Sequence, residues 1–170
     1  AGLLTQYHTA STSLKSLDEI MSKAVERPAD SNFLSRTGFR GDIEFREVSF
    51  KYPGADETTL NKVSFKIKAG DHVALLGVMG SGKTTIHKLM LGLYQPTEGA
   101  VLIDGIDSRQ IDPAQLRRSI GYVQQDTHLF YGTMRENITM TSPHADDADI
   151  LAAAHIGGVD QFINAHPKGF

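Results

Sequence analysis

The sequence predicts an α/β fold whose centre is a strand, a glycine-rich loop and a helix, with an antiparallel β subdomain before it and a separate helix at the start. Three observations predict it. The octet Gly77-Val78-Met79-Gly80-Ser81-Gly82-Lys83-Thr84 lies between an apolar run, His72 to Leu76, and a helix-like run, Thr85 to Leu91. Two earlier runs, Asp42 to Tyr52 and Val63 to Ile67, alternate apolar with polar residues, the period of half-buried strands. The opening segment instead carries Leu3, Tyr7, Ala10, Leu14, Leu17, Met21 and Ala24 in steps of four and three, a narrow helical stripe.

Composition sets the outer limits. A chain of 170 residues, 40% hydrophobic and 22% charged, is long enough for one real core. A net charge of −3 gives no basic surface, so nucleic acid is not an expected partner. The absence of cysteine excludes disulfides and thiolate metal sites. No apolar run approaches the roughly 18 to 20 residues that span a bilayer. With neither an initiator Met nor a leader, the first residue reads as a point inside a longer chain.

Taken in order, residues 1–27 read as a connecting helix, wet on most of its surface and packed on something outside this chain. Pro28 is expected to stop it, and residues 28–41, rich in Pro, Ser, Asn and Gly, read as a linker. In the first strand Ile43 and Phe45, then Val48, Phe50 and Tyr52, point one way, and the phase slips at Arg46-Glu47. A bulge there explains the slip. Val63, Phe65 and Ile67 supply the hairpin partner, and Ala69-Gly70-Asp71 turns the chain into the strand His72 to Leu76. Ala100 to Ile103 reads as a short exposed strand ending in a turn at Asp104-Gly105. Asp112-Pro113 opens a helix with Asp as N-cap and Pro in the first turn. Ile120 to Val123 reads as a buried strand. Helices follow over Arg135 to Ile138, Asp146 to Ala154 and Asp160 to Ala165.

The octet fits G-x-x-x-x-G-K-[ST], the phosphate-binding loop, and has the strand and helix flanks that pattern requires. Gly77, Gly80 and Gly82 are expected to take positive φ and bring backbone N–H groups to phosphate oxygens. Lys83 supplies a charge for the outer phosphates, and the Thr84 hydroxyl suits Mg²⁺. Asp104 ends an apolar run as a metal carboxylate would, but Gly105 follows where an acid would be wanted, and the position reads as a turn. The seven histidines show no metal-ligand spacing. Tyr52 reads as core or edge packing, with a second reading in which its ring faces a purine.

Four stretches now combine: Val48-Ser49-Phe50-Lys51-Tyr52-Pro53, Gly77 to Thr84, Leu91-Gly92-Leu93-Tyr94-Gln95-Pro96-Thr97-Glu98-Gly99, and Ile120-Gly121-Tyr122-Val123-Gln124-Gln125-Asp126. In order and spacing they resemble an ABC transporter nucleotide-binding domain over residues 42–170. Asp104 to Asp107, Leu116-Arg117-Arg118 and Leu129 to Ile138 resemble the exporter branch, most of all the ATPase-permeases of type I secretion that export RTX-type proteins. The resemblance implies a P-loop NTPase core, incomplete at the C-terminus, that binds ATP with Mg²⁺. Tyr52 would stack on adenine. Gly77, Val78, Met79, Gly80, Ser81, Gly82, Lys83, Thr84 and Thr85 would hold the phosphates. Thr84 and Gln125 would approach Mg²⁺, and Lys83 and Gln125 would serve the reaction. The opening helix would continue the last transmembrane helix, and residues 126–138 would meet the membrane domain. The implied partners are that domain, a second nucleotide-binding domain, the exported protein and further secretion components, at the cytoplasmic face of a bacterial inner membrane.

Three departures from the family pattern stand out. Gln124 occupies a usual Pro position, leaving open which of Gln124 and Gln125 reaches the metal. Val78 and Met79 leave only backbone contacts at their positions. The signature sequence, second Walker carboxylate and switch histidine match no residue here, so residues 1–170 alone are expected to bind ATP and not to hydrolyse it efficiently. A small P-loop kinase or GTPase, and a degenerate regulatory domain, are the alternatives. For the GTPase, Asn61-Lys62-Val63-Ser64 lacks the Asp of N-K-x-D.

Overall fold

The computed structural model describes residues 2–28, 32–36, 38–159 and 165. The chain divides into two units, Ala1–Ile120 and Gly121–Phe170. The first begins with α1, Gly2–Met21, followed by β1, Ile43–Phe50, and β2, Leu60–Ile67. Next come α2, Lys83–Met90, β3, Glu98–Ile103, β4, Ile106–Asp107, and α3, Pro113–Arg118. The four strands form one antiparallel sheet in the order β2-β1-β3-β4.

The expected hairpin is present. Phe45 pairs with Phe65 on one side and Val101 on the other, and the Phe45 and Phe65 rings stack at 4.5 Å. The phase slip is a bulge: both ladders of β1 shift register there, and Glu47 takes φ 47°. The Ser64 hydroxyl secures it, accepting from the Glu47 N–H and donating to the Glu47 carboxylate, both at 2.9 Å. Gly99 crosses β1 at this point with φ 80°, and a Cβ on it would lie 2.6 Å from the Glu47 carbonyl carbon. The bulge brings the backbones so close that only glycine fits.

β3 is not the exposed strand expected. Val101, Leu102 and Ile103 are all buried, because β1 and β4 flank the strand and its apolar residues fill both faces. Phe45, Val48, Val101 and Ile103 form the core with Ile86 and Leu89 of α2 and Leu116 of α3. This core fixes the start of α2 against the sheet.

Asp104 holds the segment before β1 in place. Its carboxylate accepts from the N–H groups of Arg40, Gly41 and Asp42 at 2.7, 3.1 and 2.9 Å, and Arg36 lies 3.6 Å away. Its φ of 51° is one that Asp tolerates better than most residues. Burial pushes the Asp104 carboxyl up, but the three N–H donors and Arg36 outweigh it and hold it below the ordinary value. A lowered folded pKa means stability that is present above the unfolded value, about 3.9, and lost as pH falls through the folded one. Asp104→Asn, which turns an amide N–H toward a backbone donor, is therefore expected to cost about 2 kcal/mol at neutral pH. Thermal unfolding should show the gap between variant and wild type closing as pH falls toward 3.

α1 ends at Met21, well before Pro28, so the proline is not what stops it. Ion pairs to α3 hold the chain after the helix. Arg117 makes a bidentate contact with Glu26 at 2.7 and 2.8 Å, and Arg27 reaches Asp112 at 2.8 Å. Leu34 then bridges Ile111, and Gln115 bonds Ser35 and the Arg36 N–H. Among the described residues nothing covers Tyr7, Leu14 and Leu17, whose side chains are exposed along α1. None of the described helices is long and apolar enough to cross a membrane.

Two expected strands are absent. His72 to Leu76 and Ile120 to Val123 are irregular, and neither run lies in the sheet. Local apolarity makes a strand only when a neighbour completes the ladder, and among the described residues neither run has one. In the second unit, Thr133 and Glu136 form a capping box on α4, Met134–Ile138. Asp146 caps α5, Asp147–Ile156, and Arg135 pairs with Asp147. The helix expected over Asp160 to Ala165 falls, apart from Ala165, outside the described residues.

Candidate functional site

The site is built on α2. Its N-cap is Gly82, with φ 90° and no side-chain bond, so the first N–H groups of the helix are free of any side-chain cap. Gly80 also takes positive φ, at 81°. Gly77 does not, contrary to expectation. A Cβ on it would lie 2.6 Å from the Ser81 hydroxyl oxygen, so any larger residue there would have to turn the Ser81 side chain away. Gly82 faces the sheet, where a Cβ would meet Leu60 Cδ2 at 2.7 Å. The octet is thus a nest closed on one side by β2 and wrapped by its own backbone.

Lys83 folds back over this nest. Its ammonium donates to the Gly77 and Val78 carbonyls at 2.9 and 2.8 Å and to Ser81 Oγ at 3.3 Å. Val78 and Met79 point fully outward, leaving only their backbone for any bound group. Thr84 is exposed at the first turn of α2, where its hydroxyl is open to a hard cation. Thr85 is buried, and its hydroxyl shares a 3.1 Å hydrogen bond with the Tyr52 hydroxyl.

That bond joins the end of β1 to α2. The Tyr52 ring meets Phe50 at 4.8 Å and Tyr94 at 5.2 Å, both edge to face, and Lys88 Nζ stands 5.4 Å from its centre. The edge-packing role expected of Tyr52 is therefore real, and the same contacts place its ring beside the phosphate loop's helix. Sequence reading singled out Tyr52 but missed Lys88 and Tyr94. The available signal was spacing, since Lys88 is three residues beyond Thr85 and shares its helix face.

Asp104 belongs to the backbone cradle described above and not to this site. Gln124 and Gln125 lie in the second unit, both exposed in an irregular segment where the Thr127 hydroxyl donates to the Gln124 carbonyl at 3.3 Å. Further on, Asn137 clamps the turn after Leu129. Its side chain donates to the Phe130 and Thr133 carbonyls and accepts from the Phe130 N–H, while Leu129, Phe130 and Tyr131 stay exposed. Among the described residues no three His, Asp or Glu gather as a metal site.

A glycine nest with a lysine folded over it, at the head of a helix packed on a sheet, defines a P-loop nucleotide-binding fold. The family model for ABC transporters matches residues 60–168, and the chain belongs to that family. It is similar to the mycobactin import ATP-binding/permease protein IrtB of Mycolicibacterium thermoresistibile, with 38% identity over 99% of this chain and 29% of that one. It is also similar to the alpha-hemolysin translocation ATP-binding protein HlyB of Escherichia coli O157:H7, with 34% identity over 100% of this chain and 24% of that one. Among solved structures, a bacterial Atm1-family ABC exporter with ATP bound matches with a TM-score of 0.81 and 32% identity, over 96% of this chain and 29% of that one. The chain spans less than a third of the length of the curated relatives named here. These matches support an ATP-binding domain of an ABC exporter, built on a P-loop core with an antiparallel β subdomain.

Proposed function

We propose that this chain binds Mg·ATP through Tyr52 and the octet Gly77 to Thr84, and that in the full-length protein ATP hydrolysis powers protein export by type I secretion. One observation carries the ATP assignment. The hydroxyl of Tyr52 is tied to Thr85 of the helix that begins at Lys83, so an aromatic ring for the base is held against the helix that carries the grip for the phosphates. Backbone N–H groups of residues 77 to 85 would hold the phosphates, Lys83 would leave its carbonyl partners for the outer ones, and Thr84 would serve the magnesium ion. Gln125, in the second unit, would take the metal and coupling roles that the family resemblance implies. Helix α1 continues from the membrane domain, residues 126–138 meet it, and a second nucleotide-binding domain of the full-length protein completes the site. The assembly lies at the cytoplasmic face of a bacterial inner membrane.

Tyr52→Ala is expected to weaken Mg·ATP by roughly tenfold, the scale of one base stacked on an aromatic ring. Tripolyphosphate, which has no base, should bind unchanged. Calorimetric titration of the full-length protein distinguishes the cases, and equal ATP affinity in the variant overturns the base assignment. A clear preference for GTP over ATP would favour the kinase or GTPase reading.

The secretion reading draws on the exporter-branch stretches and on matches, along the whole of this chain, to HlyB and to a cyclolysin secretion/processing protein of Bordetella pertussis. A small-molecule transporter is the second reading, favoured by IrtB and by a putative multidrug export protein of Bacillus subtilis that is 37% identical. Export of an RTX-type polypeptide by the full-length protein with secretion partners tests the choice. Active ATP turnover without export would reject secretion.

A further inference from the structure

We propose that Lys88 and Tyr94 are positioning residues for the nucleotide base, holding the Tyr52 ring in the attitude that receives it; the inference rests on the Tyr52 reading above. Two short stretches of sequence set the arrangement. Thr85 and Lys88, three apart, share the face of α2 that looks at Tyr52. Thr85 holds the ring by its hydroxyl at 3.1 Å, and the Lys88 ammonium stands over the ring at 5.4 Å.

The C-terminus of α2 then returns the chain to the same place. Gly92 takes φ 66°, its N–H donates to the Leu89 carbonyl at 3.1 Å, and the Leu93 N–H donates to the Lys88 carbonyl at 3.0 Å. These two bonds define a Schellman turn. The turn directs Tyr94 back against Tyr52, with ring centres 5.2 Å apart at 83°, and the same ammonium lies 5.8 Å from the Tyr94 ring. Lys88 thus bridges two rings whose positions are set at opposite ends of one helix. Phe50 closes the cluster from β1 at 4.8 Å.

A cation over a ring is attracted to its electron-rich face, and the attraction grows as water is excluded. Removing it frees the Tyr52 ring to rotate about its hydroxyl anchor without altering the core. The effect belongs to the base and not to the phosphates, which are gripped at the other end of α2.

The experiment titrates Mg·ATP and tripolyphosphate into the full-length protein and into Lys88→Met, Lys88→Arg, Tyr94→Leu and Tyr52→Ala. Lys88→Met and Tyr94→Leu are each expected to weaken ATP about threefold to tenfold, with tripolyphosphate unchanged and Lys88→Arg restoring ATP affinity. Loss of ATP affinity only with Tyr52→Ala, and none with Lys88→Met, overturns the inference while leaving the Tyr52 reading in place. Equal losses for both ligands make Lys88 a phosphate or structural residue and also overturn it. No loss with Tyr52→Ala removes the underlying reading itself.

Discussion

Lys83→Ala is expected to weaken Mg·ATP by 30-fold to 1,000-fold, about 2 to 4 kcal/mol, the range for deleting one partner of a close charge pair. The fold should survive. Lys83 spends its ammonium on the carbonyls of Gly77 and Val78 and the hydroxyl of Ser81, all in an exposed loop where water replaces a lost donor. No core side chain leans on it. The variant should therefore unfold within a few degrees of the wild type while failing to bind, and calorimetry beside a thermal melt reads both. Unchanged affinity would mean that the phosphates are held elsewhere.

Gly99→Ala carries the largest expected effect on stability, about 3 kcal/mol or more. Two costs add: a left-handed residue acquires a Cβ, and that Cβ overpacks against the backbone. The atoms in the way are the carbonyl groups of Arg46 and Glu47, which no rotamer change can move. Relief requires opening the bulge, and the bulge joins β1 to β3 at the centre of the sheet. Hydrogen exchange at the amides of Phe45 and Val101 in the full-length protein measures the loss locally. A change below about 1 kcal/mol would show that β1 yields there more easily than close packing allows.

Much of this architecture was legible in the sequence because it is local. Alternation gave the hairpin, and its slip at Arg46-Glu47 gave the bulge. Asp112-Pro113 marked a helix start because the Asp side chain caps a backbone N–H only two residues on. The octet was legible for the same reason. What could not be read depends on partners distant in the chain. Nothing near Ala100 says that β3 pairs with β1, and that pairing is what buries it. Nothing near Asp104 says that residues 40 to 42 will bring three N–H groups to its carboxylate. The apolar run before the octet promised a strand, yet a strand is a ladder and periodicity cannot supply the neighbour.

The site divides along the same line. Lys83 and Thr84 follow from a fixed spacing, whereas the environment of Tyr52 is assembled from β1, α2 and the turn after α2. Only the folded chain shows that the Thr85 hydroxyl faces Tyr52, and only the Schellman turn at Gly92 brings in Tyr94.

Photolabelling the full-length protein with 8-azido-ATP tests the central claim most directly, because the reactive group sits on the base itself. Label is expected on the peptide bearing Tyr52 or the one bearing Lys88 and Tyr94, displaced by excess Mg·ATP and lost in Lys83→Ala. Label confined to other peptides, or persisting undiminished in Lys83→Ala, would contradict a site in which Tyr52 and the octet hold one nucleotide.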